Sequence, residues 1–106
     1  MATKTDAKER LIRLLERRAW NPVLKASPNG RDKADVKRLE RVQKKTETQC
    51  DRYWQYRSAG EVLKRFKGDL SSQAAKKTNA DLHALGLPTQ SDIADEFEAL
   101  ADRLNV

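Results

Sequence analysis

Arg52-Tyr53-Trp54-Gln55-Tyr56-Arg57 places three of the chain's six aromatic residues within four positions, flanked by arginines. Nucleic-acid bases stack on aromatic rings and guanidinium groups hold phosphates, so this mixture suits single-stranded nucleic acid. On a helix these neighbours point in different directions. Tyr53 is expected to face the core, with Trp54 and Tyr56 on its flanks, where they are the candidate contacts for a protein partner as well. The alternative is that the cluster packs inside the fold.

Basic residues recur at helical spacing. Lys37, Arg41 and Lys44 step by four and three, and Arg38, Lys45 and Arg52 step by seven. Arg10, Arg13 and Arg17 do the same nearer the N-terminus. Such rows lie on one side of a helix and could neutralise successive phosphates without reading sequence. The competing reading is a solvated face in which Asp35, Glu40, Glu47 and Asp51 balance the charge.

Residues for catalysis are sparse. His83 is the single histidine, and its nearest acid, Asp81, is two residues away and off its helix face. Cys50 is the single cysteine, which excludes an internal disulfide, and it falls on an inward stripe where a thiol is inert. Asp92, Asp95, Glu96, Glu98 and Asp102 form close pairs, but no oxygen-rich loop or histidine accompanies them, so a solvated face is expected rather than a metal site. No catalytic residue, metal or cofactor is expected, and the chain is read as non-enzymatic.

Hydrophobic spacing assigns these residues to helices. The first is expected over about 6–19, with Asp6 and Glu9 at its start and Leu11, Ile12, Leu14, Leu15 and Ala19 as its stripe. Asn21-Pro22 should stop it, because the residue before proline is pushed out of the α region. A loop over 21–32 follows, carrying the turn sequence Ser27-Pro28-Asn29-Gly30.

A long helix is expected over about 33–57, with Asp32 as N-cap. Its inward stripe is Val36, Leu39, Val42 or Gln43, Thr46, Cys50, Tyr53 and Arg57. Both ends are apolar and the middle, Gln43 to Gln49, is polar. That middle should project from the body or meet a partner, and the helix is long enough to form a dimer seam.

A third helix begins at the capping sequence Ser58-Ala59-Gly60-Glu61 and runs toward Leu85. Gly68 and Ser71-Ser72 are where it would bend or split. Gly86 is placed as the left-handed residue that ends it, with Leu87 contacting Leu82. A fourth helix over about 90–104 is capped by Thr89, with Asp92 three residues on, and buries Ile93, Phe97, Leu100 and Leu104. Its start resembles the first helix of a helix-turn-helix, but the pattern continues through Leu104 where a turn is required, and it is acidic.

The expected fold is therefore all-α: a single domain over 1–106, a small antiparallel bundle of about four helices with a flexible tail at 1–5. Charged residues make up 36% of the 106 and apolar residues 38%. Ordinary domains carry about 25% charge, so the core must be small. Residues 1–68 carry a net +10 and residues 69–106 a net −4. An anionic partner is thus expected at the basic part, or the two parts attract each other. No run approaches the ~20 apolar residues of a membrane span, and no apolar stretch follows Met1-Ala2-Thr3-Lys4-Thr5, so neither membrane nor secretory leader is expected and the reading is cytoplasmic. Two functions compete: a nucleic-acid-binding accessory protein using the basic faces, or a protein-interaction module or small regulatory subunit. The candidate partners are nucleic acid, another protein and a second copy of the chain.

Overall fold

The structure is a computed structural model describing residues 4–106, with side chains from residue 7. The expected tail at 1–5 falls partly outside these residues, and Lys4 already begins α1 (Lys4–Leu15). The fold is all-α, with no strand among the described residues. After α1 come a π-helical turn (Glu16–Trp20), α2 (Asn21–Lys25), α3 (Lys33–Trp54), α4 (Ala59–Leu70), α5 (Gln73–Ala84) and α6 (Gln90–Arg103). No helix is long and apolar enough to cross a membrane.

The first helix does not stop at Asn21-Pro22. It passes through the π turn, in which the Asn21 amide donates to the Glu16 carbonyl, and continues as α2. Proline has no amide hydrogen and clashes with the carbonyl four residues back. The wider π turn just before it relieves that clash, so Asn21 keeps helical dihedrals. The expected loop at 21–32 is thereby shortened, and Val23 is buried from within a helix rather than from a loop.

The other boundaries follow from caps. Asp32 accepts from the Asp35 amide at 2.8 Å, and α3 ends at Trp54, three residues earlier than expected. The third helix is two helices. Ser72 is extended, accepts from the Ala75 amide at 3.1 Å, and starts α5 after α4 has ended at Leu70. Ser58 accepts from the Glu61 amide, while the Glu61 carboxylate reaches the Arg57 amide rather than that of Ser58. Gly86 has φ +73°, and the Leu87 amide donates to Leu82 and that of Gly86 to His83, which completes the expected left-handed cap. Thr89 and Asp92 form a reciprocal capping box, which holds the Asp92 carboxyl below its ordinary pKa.

The apolar faces meet in two clusters along a body of 48 × 24 × 22 Å. The larger joins Leu11, Ile12 and Leu15 of α1 to Cys50 and Tyr53 of α3, Val62 and Phe66 of α4, and Ile93, Phe97 and Ala101 of α6. Phe66 and Phe97 stack at 4.2 Å between centroids. The smaller gathers Val23 of α2, Leu39 and Val42 of α3, Leu82 of α5 and Leu85.

Between the clusters lies the polar middle of α3, which turns Thr46 and Gln49 inward and leaves Lys44, Lys45, Glu47 and Thr48 exposed. Thr46 and Gln49 are buried. Gln90 donates to Gln49 at 2.6 Å, Gln49 donates to the Tyr53 hydroxyl at 2.9 Å, and that hydroxyl donates to Asp69 at 2.7 Å. The inward side of this stretch is thus satisfied at Gln49 by hydrogen bonds that reach Asp69 and Gln90. One face of α3 packs on α5.

Candidate functional site

The expected basic rows divide according to their ion-pair partners. Arg41 donates twice to Asp81, at 3.1 Å to each carboxylate oxygen. Arg38 pairs with Asp35 at 2.9 Å and lies 3.9 Å from Asp81. Arg52 is ion-paired to Asp69, and its Nε is buried without a partner. These three arginines tie α3 to itself, to α5 and to the end of α4. Arg13 pairs with Glu9 at 2.7 Å on the surface of α1, and Arg10 and Arg17 are exposed on the same rod. That rod packs chiefly on α4 and α6, so its basic row does not extend the α3 row into one cleft.

Lys37, Lys44 and Lys45 are exposed and make no ion pair with a described residue. Lys44 and Lys45 stand at the edge of a cleft of about 330 Å³ between α3 and α5. Antiparallel packing sets Arg41, Val42, Lys45 and Thr48 against Ala74, Lys77, Thr78 and Asp81. The walls are apolar apart from the hydroxyl and charged groups at the ends and rim. Lys77 supplies a third cation from α5, and Asp81, the one acid lining the cleft, is already engaged by Arg41. The rim therefore carries three cations without an ion-pair partner among the described residues, while Glu40, Glu47 and Asp51 stand exposed within two turns of Lys44 on α3.

The sequence reading missed Lys77 and the α5 wall. A signal was present: Lys76-Lys77 sits among Ala74, Ala75 and Thr78, a small-residue face that leaves room for a groove. Recognising it requires knowing that α5 lies against α3.

The aromatic cluster is not on this cleft. Trp54 is half-buried against the larger core, and its indole N–H donates to Glu16 at 3.1 Å. Lys8 lies 5.7 Å from its ring centre and donates to its carbonyl at 3.1 Å. Tyr56 is half-buried, 6.1 Å from Tyr53 and covered by the Arg65 guanidinium at 5.6 Å. Both rings are thus occupied by intramolecular contacts.

The remaining reactive groups have structural surroundings. Burial, reinforced by the charges of Glu16 and Asp51, pushes the Cys50 thiol up to about 12. Burial and the bond to Asp69 raise the Tyr53 hydroxyl well above the ordinary tyrosine range. His83 is exposed. In the acidic helix, Glu96 pairs with Arg18 at 2.7 Å and Glu98 with Lys67 at 3.2 Å. No group of acids, histidines and cysteines suited to a metal ion occurs among the described residues.

No protein-family model, curated protein or solved structure matches the chain.

Proposed function

We propose that the protein is a non-enzymatic accessory protein that binds nucleic acid through its phosphates, on the face formed by α3 and α5. The observation that carries this reading is the triad Lys44, Lys45 and Lys77, three exposed cations around one cleft with no carboxylate pairing them. Lys37, two turns along α3 from Lys44, prolongs the row by about 10 Å at 1.5 Å per residue. Phosphate binding draws its free energy largely from releasing condensed counterions, which requires cations not already neutralised by the protein. Lysine, a point charge on a flexible stem, suits sequence-independent contact of this kind. Arg38, Arg41 and Arg52 are reassigned from phosphate contacts to structural ion pairs. Titration with oligonucleotides across a salt series tests the reading, since binding that is steep in salt and abolished by removing the three lysines supports it.

A second reading, an interaction module, is favoured by one observation. Leu24 is 48% exposed beside Ala26, Pro28 and Val36, in a groove at the α2–α3 elbow. Large exposed apolar side chains beside other apolar groups are common at protein contacts. Light scattering of the protein and of its Leu24→Lys variant over a concentration range tests whether that contact is with a second copy.

A further inference from the structure

We propose that the α3–α5 cleft receives an unstacked base of a single strand, so that the protein prefers single-stranded to double-stranded nucleic acid. This rests on the nucleic-acid reading above and adds the class of substrate. Phosphates alone would need only a row of cations on a convex helix surface. Here the cations rim a concavity of about 330 Å³, lined by the buried Val42 and Thr78 and the exposed Thr48 and Ala74 side chains. That size is at the lower end of small-ligand pockets, which run from about 300 to 1,000 Å³. An occupant with negative charge outside and an apolar or weakly polar body inside matches this lining. A nucleotide within a single strand has both, whereas a duplex keeps its bases stacked and offers the rim only its backbone.

The cleft also indicates how little sequence it would read. Its floor has no aromatic ring, because Trp54 and Tyr56 are engaged elsewhere. Its polar groups near the floor are two threonine hydroxyls, and that of Thr78 already donates to the Ala74 carbonyl at 2.9 Å. Base contact is then by shape and dispersion, with no fixed set of donors and acceptors to select one base over another.

The test uses the full chain and an exposed position on the wall. Ala74 is exposed on α5, so Ala74→Leu narrows the cleft without removing charge, adding an aromatic ring for bases to stack on, or burying new surface in the core. Fluorescence anisotropy is measured with labelled single strands and with the matching duplex, and circular dichroism checks the helices. The native protein should bind the single strand about fivefold or more tightly than the duplex, the scale of removing some tens of Å² of base surface from water at about 25 cal/mol per Å². Ala74→Leu should abolish that preference and leave duplex binding unchanged. Equal affinities in the native protein, or a preference that survives Ala74→Leu, would overturn the base-in-cleft proposal while leaving phosphate binding standing. Binding of neither oligonucleotide at low salt would remove the nucleic-acid reading itself. An acidic Glu/Leu helical peptide that binds instead, and binds more weakly to Ala74→Leu, would assign the cleft to a protein partner and overturn the proposal.

Discussion

Asp81 and Arg41 form a two-point ion pair, each carboxylate oxygen accepting from the guanidinium at 3.1 Å, and this pair closes one end of the α3–α5 cleft. Asp81 is 8% exposed, whereas the Arg41 side chain is half in solvent. The acid is thus a buried anchor for an arginine that would otherwise belong to the basic face. Replacing it separates stability from binding. Asp81→Asn should cost about 1–2 kcal/mol, a modest figure because Arg41 is already partly solvated. The melting temperature should fall by several degrees, on the scale of about 4–8 °C per kcal/mol for a domain of this size. The same variant releases a cation beside Lys44 and Lys45, so oligonucleotide affinity at low salt should rise. A calorimetric scan and an anisotropy titration on one preparation check both directions.

The polar seam between the two apolar clusters predicts a different response. Tyr53→Phe keeps the ring but removes the hydroxyl that links Gln49 to Asp69. A buried amide is then left without its acceptor, which costs about 1–3 kcal/mol. Denaturant melts should show the midpoint shifting with little change in slope, because the surface exposed on unfolding is nearly unchanged.

Alkaline pH should destabilise the fold through Cys50 and Tyr53. Both groups are held protonated in the native state, Cys50 up to about 12 from a reference of 9.0. In the unfolded chain the thiol loses its proton above about pH 9. The unfolded state then binds fewer protons than the native one, so stability falls as pH rises. The stabilisation is complete below pH 9 and is lost through the window from 9 to about 12. Each such group contributes a slope of about 1.4 kcal/mol per pH unit. Cys50→Ala should flatten the fall between pH 9 and 10, before tyrosine ionisation adds to it; urea melts at stepped pH measure this.

Gly86 is required by backbone geometry alone. It has φ +73°, and a Cβ built there meets nothing within 4 Å. Gly86→Ala should therefore destabilise by about 1–2 kcal/mol, the cost of a left-handed conformation for an L-residue, with no packing component. Gly68, also open but with ordinary dihedrals, is the control: Gly68→Ala inside α4 should stabilise by up to about 1 kcal/mol.

What could be read from the sequence was local. Asp32, Ser58, Thr89 and Gly86 each carry their reason within three or four residues, and each caps where expected. Pro22 misled because its rule concerns a regular α-helix, and a one-turn π distortion evades it. The middle of α3 misled because Gln43–Gln49 looks unburiable until Gln90, 41 residues away from Gln49, supplies the matching amide. The basic faces were legible as charge but not as available charge. Asp69 and Asp81, which neutralise Arg52 and Arg41, lie 17 and 40 residues off along the chain. Lys44 and Lys45 were singled out correctly as exposed, while their neighbour Lys77 is joined to them only by the antiparallel packing of α5 on α3.

The most direct measurement is the salt dependence of oligonucleotide binding for the native chain and for Lys44→Gln/Lys45→Gln/Lys77→Gln. The logarithm of the affinity should fall linearly with the logarithm of salt. The triple variant should lower that slope by about 2–3, at roughly 0.7–0.9 for each phosphate that is no longer neutralised. No binding at low salt, or a slope unchanged in the triple variant, would contradict a phosphate-binding role for the α3–α5 cleft.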